Sequence, residues 1–409
     1  MSLIRLETGA VGGSVAPGFE SVVDAFAASL ARADALGAAC VIHYRGETVV
    51  DLWGGPVAAD SVEPWRSDEL VLMYSVTKGL TGLTCAVAVS QGLFDYDEPV
   101  SAIWPEFAAV GKGRITVGAL LSEQAGLAAL DAKLTREIMA DQDQMAAILA
   151  AQQPNWTPGD WAGNHSYSLG WIACELIRRR DPQQRSLGQF FADEVAGPLG
   201  ADIWIGLPES VDRTRLARIK GFGLLDLVFK HANMPWSLVL ACFLPWSLPF
   251  RALNNPLFLH GAAALDTEEW RGIELGAIGG IGSARAVAAC YAAFAGGGDA
   301  LAVQPDVLAR LCAGFPAPRR GRRDAVLHFD INYSYGLEKP GTDWRFVPSP
   351  TAFGSFAVGG SLAFADPEHR VGYAWLTNKL GLFGRDDPRE LMVRRAFYQA
   401  IGHDLQRGS

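Results

Sequence analysis

Apolar positions near both ends of the chain follow the spacings typical of helices and strands. Residues 18–36 have helical spacing, and two short apolar runs, 38–44 and 48–53, follow on either side of a polar turn. This pattern predicts a helix and then a β-hairpin. Residues 361–377 again contain two apolar runs around a polar turn, and a helical pattern covers 388–401. We therefore predict one sheet built from both ends of the chain.

The middle of the chain has mostly helical spacing. Apolar residues recur at helical intervals in four segments separated by proline and glycine, namely 78–91, 134–152, 167–180 and 189–196. We therefore predict two lobes. Residues 1–95 and 270–409 form an α/β lobe, and residues 96–269 form a mostly α-helical lobe.

A strongly apolar segment, residues 236–250, lies inside the predicted helical lobe. Its sequence, WSLVLACFLPWSLPF, is too short to cross a bilayer and is interrupted by Pro245 and Pro249. We predict a cap over a functional cleft, with an oligomer contact or a membrane-surface contact as the alternatives. Trp236 is the residue of this segment that we expect to contact a substrate.

Composition and charge narrow the class of protein. Of the 409 residues, 49% are hydrophobic, which is enough for a large core. The 44 acidic side chains outnumber the 35 basic ones and give a net charge of −9, which argues against nucleic acid as a partner. The first seven residues lack the features of a secretion signal, which favours the cytoplasm. The six scattered cysteines are interpreted as buried thiols.

Ser75 and Lys78 are the strongest candidates for chemistry. They begin an apolar helical pattern three residues apart, so the hydroxyl and the amine share one helix face. A serine needs a base to become a nucleophile, and a lysine in apolar surroundings is suited to that task. The S-x-x-K pattern alone is weak, because it arises by chance in long chains and also fits a surface serine and lysine.

Longer sequence blocks along nearly the whole chain strengthen this hypothesis. They read GAAC at 37–40, VDLWGG at 50–55, SVTKGL at 75–80, LLS at 120–122, AGL at 125–127, WTPG at 156–159 and GGSL at 359–362. In this order they resemble the family VIII carboxylesterases, relatives of class C β-lactamases and penicillin-binding proteins. The resemblance implies an α/β (α+β) fold of the β-lactamase-like type, with an antiparallel sheet flanked by helices and a mostly helical lobe. It also implies a site in the cleft between the lobes and acyl-enzyme chemistry on esters.

Two motifs of this family are altered. Asn164 stands where the resemblance implies a tyrosine that helps to move the serine proton, and an amide cannot carry a proton near neutral pH. Tyr167, one helical turn further on, is the candidate replacement, with a core aromatic residue as the alternative. In place of a His-x-Gly motif the chain has Ser355-Phe356-Ala357.

The predicted binding residues follow from these positions. Besides Trp236, they are Asn164, Ser355, Phe356, Ala357, Gly359 and Gly360. The two glycines are interpreted first as backbone devices for a tight strand entry, and second as part of an oxyanion-binding site. Glu123 lies between two of the matching blocks and is expected to be a surface or supporting carboxylate rather than an acid catalyst.

The leading hypothesis is a serine hydrolase that cleaves a small hydrophobic carboxylic ester, with Ser75 as nucleophile and Lys78 as base. The altered motifs leave two alternatives open, namely the same fold with acyltransferase, amidase or non-hydrolytic chemistry, and a silent protein that binds a small ligand. No cofactor is predicted, and the dispersed histidines predict no metal site. The expected partner is a small acyl substrate, without nucleic acid or a membrane span, and a homo-oligomer is left open.

Overall fold

The computed structural model describes residues 3–6, 11–229, 232–256, 263–341 and 344–405. The N-terminal stretch in which no secretion signal is predicted lies partly outside these residues. Within them the strands are β1 (Ile4–Leu6), β2 (Val11–Val15), β3 (Ala38–Tyr44), β4 (Glu47–Gly54), β5 (Val71–Leu72), β6 (Ile203–Ile205), β7 (Gly280–Gly282), β8 (Asn332–Ser334), β9 (Leu337–Lys339), β10 (Phe353–Phe356), β11 (Leu362–Asp366) and β12 (Val371–Thr377).

One antiparallel sheet joins the two ends of the chain. In the described residues its order is β1–β2–β4–β3–β12–β11–β10–β9–β8, with antiparallel pairing throughout. Strand β3 pairs with β12 from Ala38 opposite Thr377 to Tyr44 opposite Val371, and this links the N-terminal hairpin to the C-terminal strands. The sheet predicted from the apolar runs is therefore present. A smaller sheet has the order β5–β7–β6.

Both faces of the central strands are buried, which explains their continuous apolar sequences. Along β3, Cys40 and Ile42 belong to one hydrophobic core, whereas Ala39 and Val41 belong to the core on the opposite face. Successive side chains of a strand point to opposite faces, and a strand covered on both sides needs no polar positions.

All six cysteines are free thiols and five are buried, so the interpretation of the cysteines as thiols is confirmed.

The described residues also form α-helices, some of which cover the two faces of the sheet. They are α1 (Glu20–Leu30), α2 (Val76–Ser90), α3 (Val100–Ile103), α4 (Val117–Leu121), α5 (Arg136–Ala140), α6 (Gln142–Ala151), α7 (Ser168–Arg180), α8 (Leu187–Phe191), α9 (Leu224–Phe229), α10 (Trp236–Ala241), α11 (Leu248–Leu253), α12 (Glu268–Arg271), α13 (Ala284–Ala295), α14 (Pro305–Ala313) and α15 (Pro388–Ala400). Helices α1 and α15 pack together on one face, and α13 lies on the other. The division into lobes at residues 95 and 270 stays a prediction.

The helical pattern over 134–152 forms two helices rather than one. Asp141 has an extended backbone (φ −102°, ψ 104°) between α5 and α6, and its carboxylate accepts a hydrogen bond from the Gln144 amide at 2.9 Å. Aspartate is favoured at this position because its side chain satisfies a free amide in the first turn of the next helix. The cap therefore begins α6 where the apolar spacing alone predicts continuous helix.

The apolar segment 236–250 forms α10 and the start of α11, with a turn between them. Leu238 and Cys242 are buried, whereas Trp236 and Trp246 are exposed. None of the described helices combines the length and the apolar character that crossing a membrane requires.

Helix α2 carries the candidate nucleophile and is buried almost along its whole length, at 13 of 15 residues. A helix that is apolar on all sides is expected to be covered on all sides. A Cβ on Gly79 would lie 2.8 Å from the Ser355 Cβ, and a Cβ on Gly82 would lie 2.9 Å from the Tyr335 carbonyl oxygen. These two glycines therefore allow β10 and the turn between β8 and β9 to pack directly against α2.

Candidate active site

Ser75 lies where the chain passes from β5 into α2. The preceding residue, Tyr74, has a left-handed backbone (φ 48°), a conformation that is costly for residues other than glycine and that turns the chain sharply. Ser75 is the N-cap residue of α2, is half-buried, and lines a cleft. Its hydroxyl makes no capping hydrogen bond, so it is available for chemistry at the positive end of the helix dipole.

Lys78 lies one helical turn after Ser75 and is 1% exposed. Its Nζ donates to Glu123 Oε1 at 3.1 Å and to Asn164 Oδ1 at 2.5 Å. In the part of the chain that the structure describes, these are its hydrogen bonds, and none joins it to Ser75 Oγ. The amine is therefore held by an acid and an amide, and its residue lies one helical turn after Ser75.

The neighbours of Asn164 fix the orientation of its amide. Oδ1 accepts from Lys78 Nζ and from Ser166 Oγ, the latter at 3.0 Å. With Oδ1 turned toward two donors, Nδ2 is directed elsewhere. Nδ2 has no hydrogen-bond partner among the described residues, and Asn164 lines the cleft. The amide therefore offers a donor to a bound ligand, which fits its predicted binding role.

A buried carboxylate, Asp324, supports this part of the site. Its Oδ2 accepts from the Asn164 backbone amide at 2.9 Å and from Tyr333 Oη at 2.6 Å. Its Oδ1 accepts from the backbone amides of Val326 and Leu327, both at 2.6 Å. Burial raises the pKa of this carboxyl, and the hydrogen bonds oppose the rise. Asp324 therefore anchors the Asn164 backbone, and no sequence signal pointed to it.

Glu123 lies directly against Lys78 and is 2% exposed. It follows α4 with a left-handed backbone (φ 59°), and its Oε2 accepts from the His165 backbone amide at 3.2 Å. Burial raises the pKa of this carboxyl, and the positive charge of Lys78 opposes the rise. Of the two expected positions for Glu123, the surface position is therefore wrong, and the position of a supporting carboxylate agrees with its contact to Lys78.

Glu338, on β9, is a second buried carboxyl near Lys78. Among the described residues its Oε2 has no hydrogen-bond partner. Burial raises its pKa to about 8, with the Lys78 charge opposing the rise. The Glu338 carboxyl is therefore mostly protonated near neutral pH, and it does not compete with Glu123 for the Lys78 charge.

Glu338→Gln is expected to make the protein more resistant to alkali. A carboxyl whose pKa is raised by folding stabilises the fold below its unfolded pKa, and that contribution is lost as the pH rises through about 8. The amide does not titrate, so the variant should gain on the order of a few kcal/mol over the wild type between about pH 5 and about pH 9. Thermal unfolding at both pH values measures the gain, with the exposed Glu209→Gln as control. A Tm difference that is independent of pH would contradict this expectation.

The cleft beside Ser75 encloses about 190 Å³ and is lined mainly by apolar side chains. Leu238 of α10 and Cys242, the residue directly after that helix, contribute to its wall, as a cap would. Trp236 does not line the cleft and is 60% exposed. Side chains two residues apart on a helix point in nearly opposite directions, so Leu238 faces inward and Trp236 faces outward. The structure therefore does not support the predicted contact of Trp236 with a substrate.

Ser355, on strand β10, is the first residue of the altered motif. It is buried, and its Oγ donates to the Ser75 carbonyl oxygen at 2.8 Å. Phe356 and Ala357 line the cleft. Gly359 and Gly360 lie in the next turn at φ 101° and 100°, and a Cβ on either would meet another residue within 2.3 Å. They do not line the cleft, so the structure favours their interpretation as backbone devices.

Two backbone amides of the cleft have no acceptor. Among the described residues, neither the Ser75 N–H nor the Val358 N–H donates a hydrogen bond to the protein, and both residues line the cleft. Amides that face a cleft in this way are suited to bind a developing oxyanion. Sequence reasoning missed Val358, although its place directly after Ala357 in the altered motif could have pointed to it.

Tyr167 lines the cleft, but its hydroxyl donates to the Leu253 carbonyl oxygen at 3.2 Å. Burial raises the pKa of the phenol. In the described residues, neither Ser75 Oγ nor Lys78 Nζ hydrogen-bonds to it. A catalytic role for Tyr167 stays a prediction that no contact with either residue supports.

Comparison with known proteins agrees with these features. The sequence model of the family described as Beta-lactamase matches residues 22–396. The chain belongs to the beta-lactamase family. The resemblance inferred from the sequence motifs is therefore confirmed.

The relatives of this beta-lactamase family member include esterases. An esterase/beta-lactamase, LipL, from Mycobacterium tuberculosis is 30% identical over 376 residues, which cover 90% of this chain and 83% of LipL. The crystal structure of a family VIII carboxylesterase is 34% identical with a TM-score of 0.83, covering 95% of this chain and 99% of that chain. EstA from Arthrobacter nitroguajacolicus Rue61a is 28% identical with a TM-score of 0.81, covering 98% and 99%. The predicted β-lactamase-like fold is thus confirmed.

Proposed function

We propose that this member of the beta-lactamase family is a serine hydrolase that cleaves small hydrophobic carboxylic esters through an acyl-enzyme on Ser75. The observation that carries the proposal is the uncommitted Ser75 hydroxyl at the wall of an apolar cleft, at the start of a buried helix and one turn before Lys78. The esterase relatives support an ester as the substrate.

The proposed reaction uses groups that already lie at the cleft. Lys78, as a neutral amine, takes the Ser75 proton while Oγ attacks the ester carbonyl carbon. The Ser75 and Val358 amides stabilise the oxyanion. Collapse of the intermediate breaks the bond to the alcohol oxygen, which receives the proton from Lys78. Water then attacks the acyl-enzyme by the same route, and Ser75 regains its proton as the carboxylic acid leaves.

The lining of the cleft determines the proposed substrate class. Leu238, Leu253, Phe356 and Leu382 offer apolar surface, and the Asn164 amide offers a hydrogen bond. A charged acyl group would lose its hydration without a matching partner here. We therefore expect small, uncharged aliphatic or aromatic acyl groups to react best.

Covalent labelling tests the proposal. The wild type is incubated with a fluorophosphonate and mapped by peptide mass spectrometry, and hydrolysis is followed with p-nitrophenyl esters of increasing acyl length. We expect one phosphonyl group, on Ser75, and turnover of the uncharged esters. Transfer of the acyl group to an added alcohol without hydrolysis would favour acyltransferase chemistry. Absence of both labelling and turnover would reject the hydrolase and favour a silent binding protein.

Tyr167→Phe is expected to keep most of this activity. The hydroxyl is engaged with the Leu253 carbonyl oxygen, so its loss should cost about 1 kcal/mol of unfolding free energy. Because Ser75 and Lys78 are untouched, kcat should stay within about threefold of the wild type, whereas a lost proton carrier costs about 100-fold or more. Steady-state kinetics and thermal unfolding distinguish the two. A loss of the larger size with an intact fold would assign the proton to Tyr167 after all.

A further inference from the structure

We propose that Glu123 holds the proton that Lys78 must release before it can act as the base. The inference rests on the proposed hydrolase function. Glu123 does not touch the substrate in this proposal. It positions the Lys78 amine and holds the proton that this amine releases. Among the residues that the structure describes, Lys78 Nζ hydrogen-bonds to Glu123 and Asn164, and of these only the carboxyl can take up a proton.

The backbone holds the Glu123 carboxyl under Lys78. Its left-handed conformation (φ 59°) is unusual for a residue with a side chain. Its carbonyl oxygen accepts from the Gly163 amide at 3.1 Å, and its own amide donates to the Leu120 carbonyl oxygen at 3.1 Å. With Oε2 bound to the His165 amide, Oε1 is left for Lys78. The carboxyl is thus fixed with one oxygen committed to the backbone and the other to the amine.

The other titratable groups near this pair cannot replace Glu123. His165 is neutral, because its Nε2 accepts from the Leu127 amide at 2.9 Å and burial lowers its pKa to about 3. Asp324 is occupied by other donors, and among the described residues neither Asp324 nor Glu338 hydrogen-bonds to Lys78 Nζ. The groups facing the pair from the surrounding elements are Asp324, Tyr333, Glu338 and His165. Glu123 is therefore the carboxylate that touches the base.

The proton count of the proposed step is balanced. In the resting pair, one Nζ–H bond of Lys78 breaks and an Oε1–H bond of Glu123 forms, which gives a neutral amine and a neutral acid. The amine takes the Ser75 proton and passes it to the leaving alkoxide, while Glu123 keeps its own. After deacylation the proton returns to Nζ. Burial favours the neutral pair, because two buried charges lose their hydration, and burial also raises the pKa of the Glu123 carboxyl.

Glu123→Gln tests the inference through the pH dependence of turnover. We expect kcat to fall about 100-fold while KM changes less than about threefold. Because an amide holds no proton, Lys78 can lose its proton only to solvent in the variant. Its kcat should therefore rise about tenfold per pH unit over a range in which the wild type is flat. Glu123→Asp restores a carboxyl and should recover part of kcat together with the flat profile.

Glu175→Gln is the matched control. Glu175 is also 2% exposed and is ion-paired to Arg178 and Arg179 on α7, so its variant reports the general cost of neutralising a buried, paired glutamate. It should lower Tm and leave kcat and its pH profile unchanged. If Glu123→Gln does not fold, the same profile is compared between the wild type and Glu123→Asp, which should both be flat.

Four outcomes would overturn the inference. A wild type that is neither labelled at Ser75 nor active on esters rejects this inference together with the hydrolase. A labelled, active wild type whose Glu123→Gln variant keeps the wild-type kcat and pH profile rejects the inference alone. A Glu123→Gln variant whose kcat is lowered by the same factor at every pH reduces Glu123 to a structural role. The same conclusion follows if kcat of Glu123→Asp rises with pH as steeply as is expected for Glu123→Gln.

Discussion

Ser75→Ala is expected to abolish fluorophosphonate labelling and to lower kcat/KM for ester hydrolysis at least about 10³-fold. The substitution removes the nucleophilic oxygen and leaves Lys78 and the two free backbone amides in place. Since the Ser75 hydroxyl makes no capping hydrogen bond, Tm should change little. A small residual rate is expected from binding and from the oxyanion-binding amides. Labelling, steady-state hydrolysis and thermal unfolding on the same preparations measure all three effects.

Ser166→Ala is the matched control for this expectation. Ser166 also lines the cleft, and its Oγ donates to Asn164 Oδ1 at 3.0 Å. The variant removes a hydroxyl of the same size from the same cleft without touching the proposed nucleophile. It should keep labelling at Ser75 and most of the hydrolysis. Labelling that survives in Ser75→Ala, or that disappears in Ser166→Ala, would contradict the assignment of the nucleophile.

The sheet and the main helices could be predicted because their signals are local. Strand β12 lies in the second apolar run of 361–377, and α15 matches the helical pattern over 388–401. The pattern over 134–152 predicts one helix, because the apolar spacing continues through Asp141. The structure has two helices there, since a cap at Asp141 divides α5 from α6. A capping hydrogen bond spans only a few residues, so it interrupts a helix without disturbing the pattern on either side.

The site divides in the same way between local and distant contacts. Ser75 and Lys78 lie within one turn of one helix, so their spacing alone brings them together. Glu123 reaches Lys78 from 45 positions along the chain, and Asn164 reaches it from 86, so no local pattern reveals either contact. The orientation of Trp236 could not be predicted for another reason. Nearly every position of α10 is apolar, so the sequence does not show which side of that helix faces the cleft.

Lys78→Met is expected to remove turnover and to weaken the fold. Methionine fills a similar volume but neither accepts the Ser75 proton nor pairs with Glu123, so kcat should fall at least about 10³-fold. Breaking one half of a buried ion pair should lower the unfolding free energy by about 3–5 kcal/mol. The loss of unfolding free energy should be smaller in acid. Burial raises the pKa of the Glu123 carboxyl, so this carboxyl is neutral at low pH, and the cost of an unpaired buried charge appears only as the pH rises through that pKa. Denaturant unfolding at about pH 5 and about pH 8 measures this difference.

The double variant Lys78→Met with Glu123→Gln separates the two effects. The glutamine keeps an acceptor for the His165 amide but leaves no charge without a partner, so most of the lost unfolding free energy should return. Turnover should not return, because the cleft still lacks its base. Recovery of stability without activity would show that Lys78 balances the Glu123 charge as well as serving catalysis. If Lys78→Met is instead as stable as the wild type at every pH, the resting pair carries no charge, and the proton already lies on Glu123 before substrate binds.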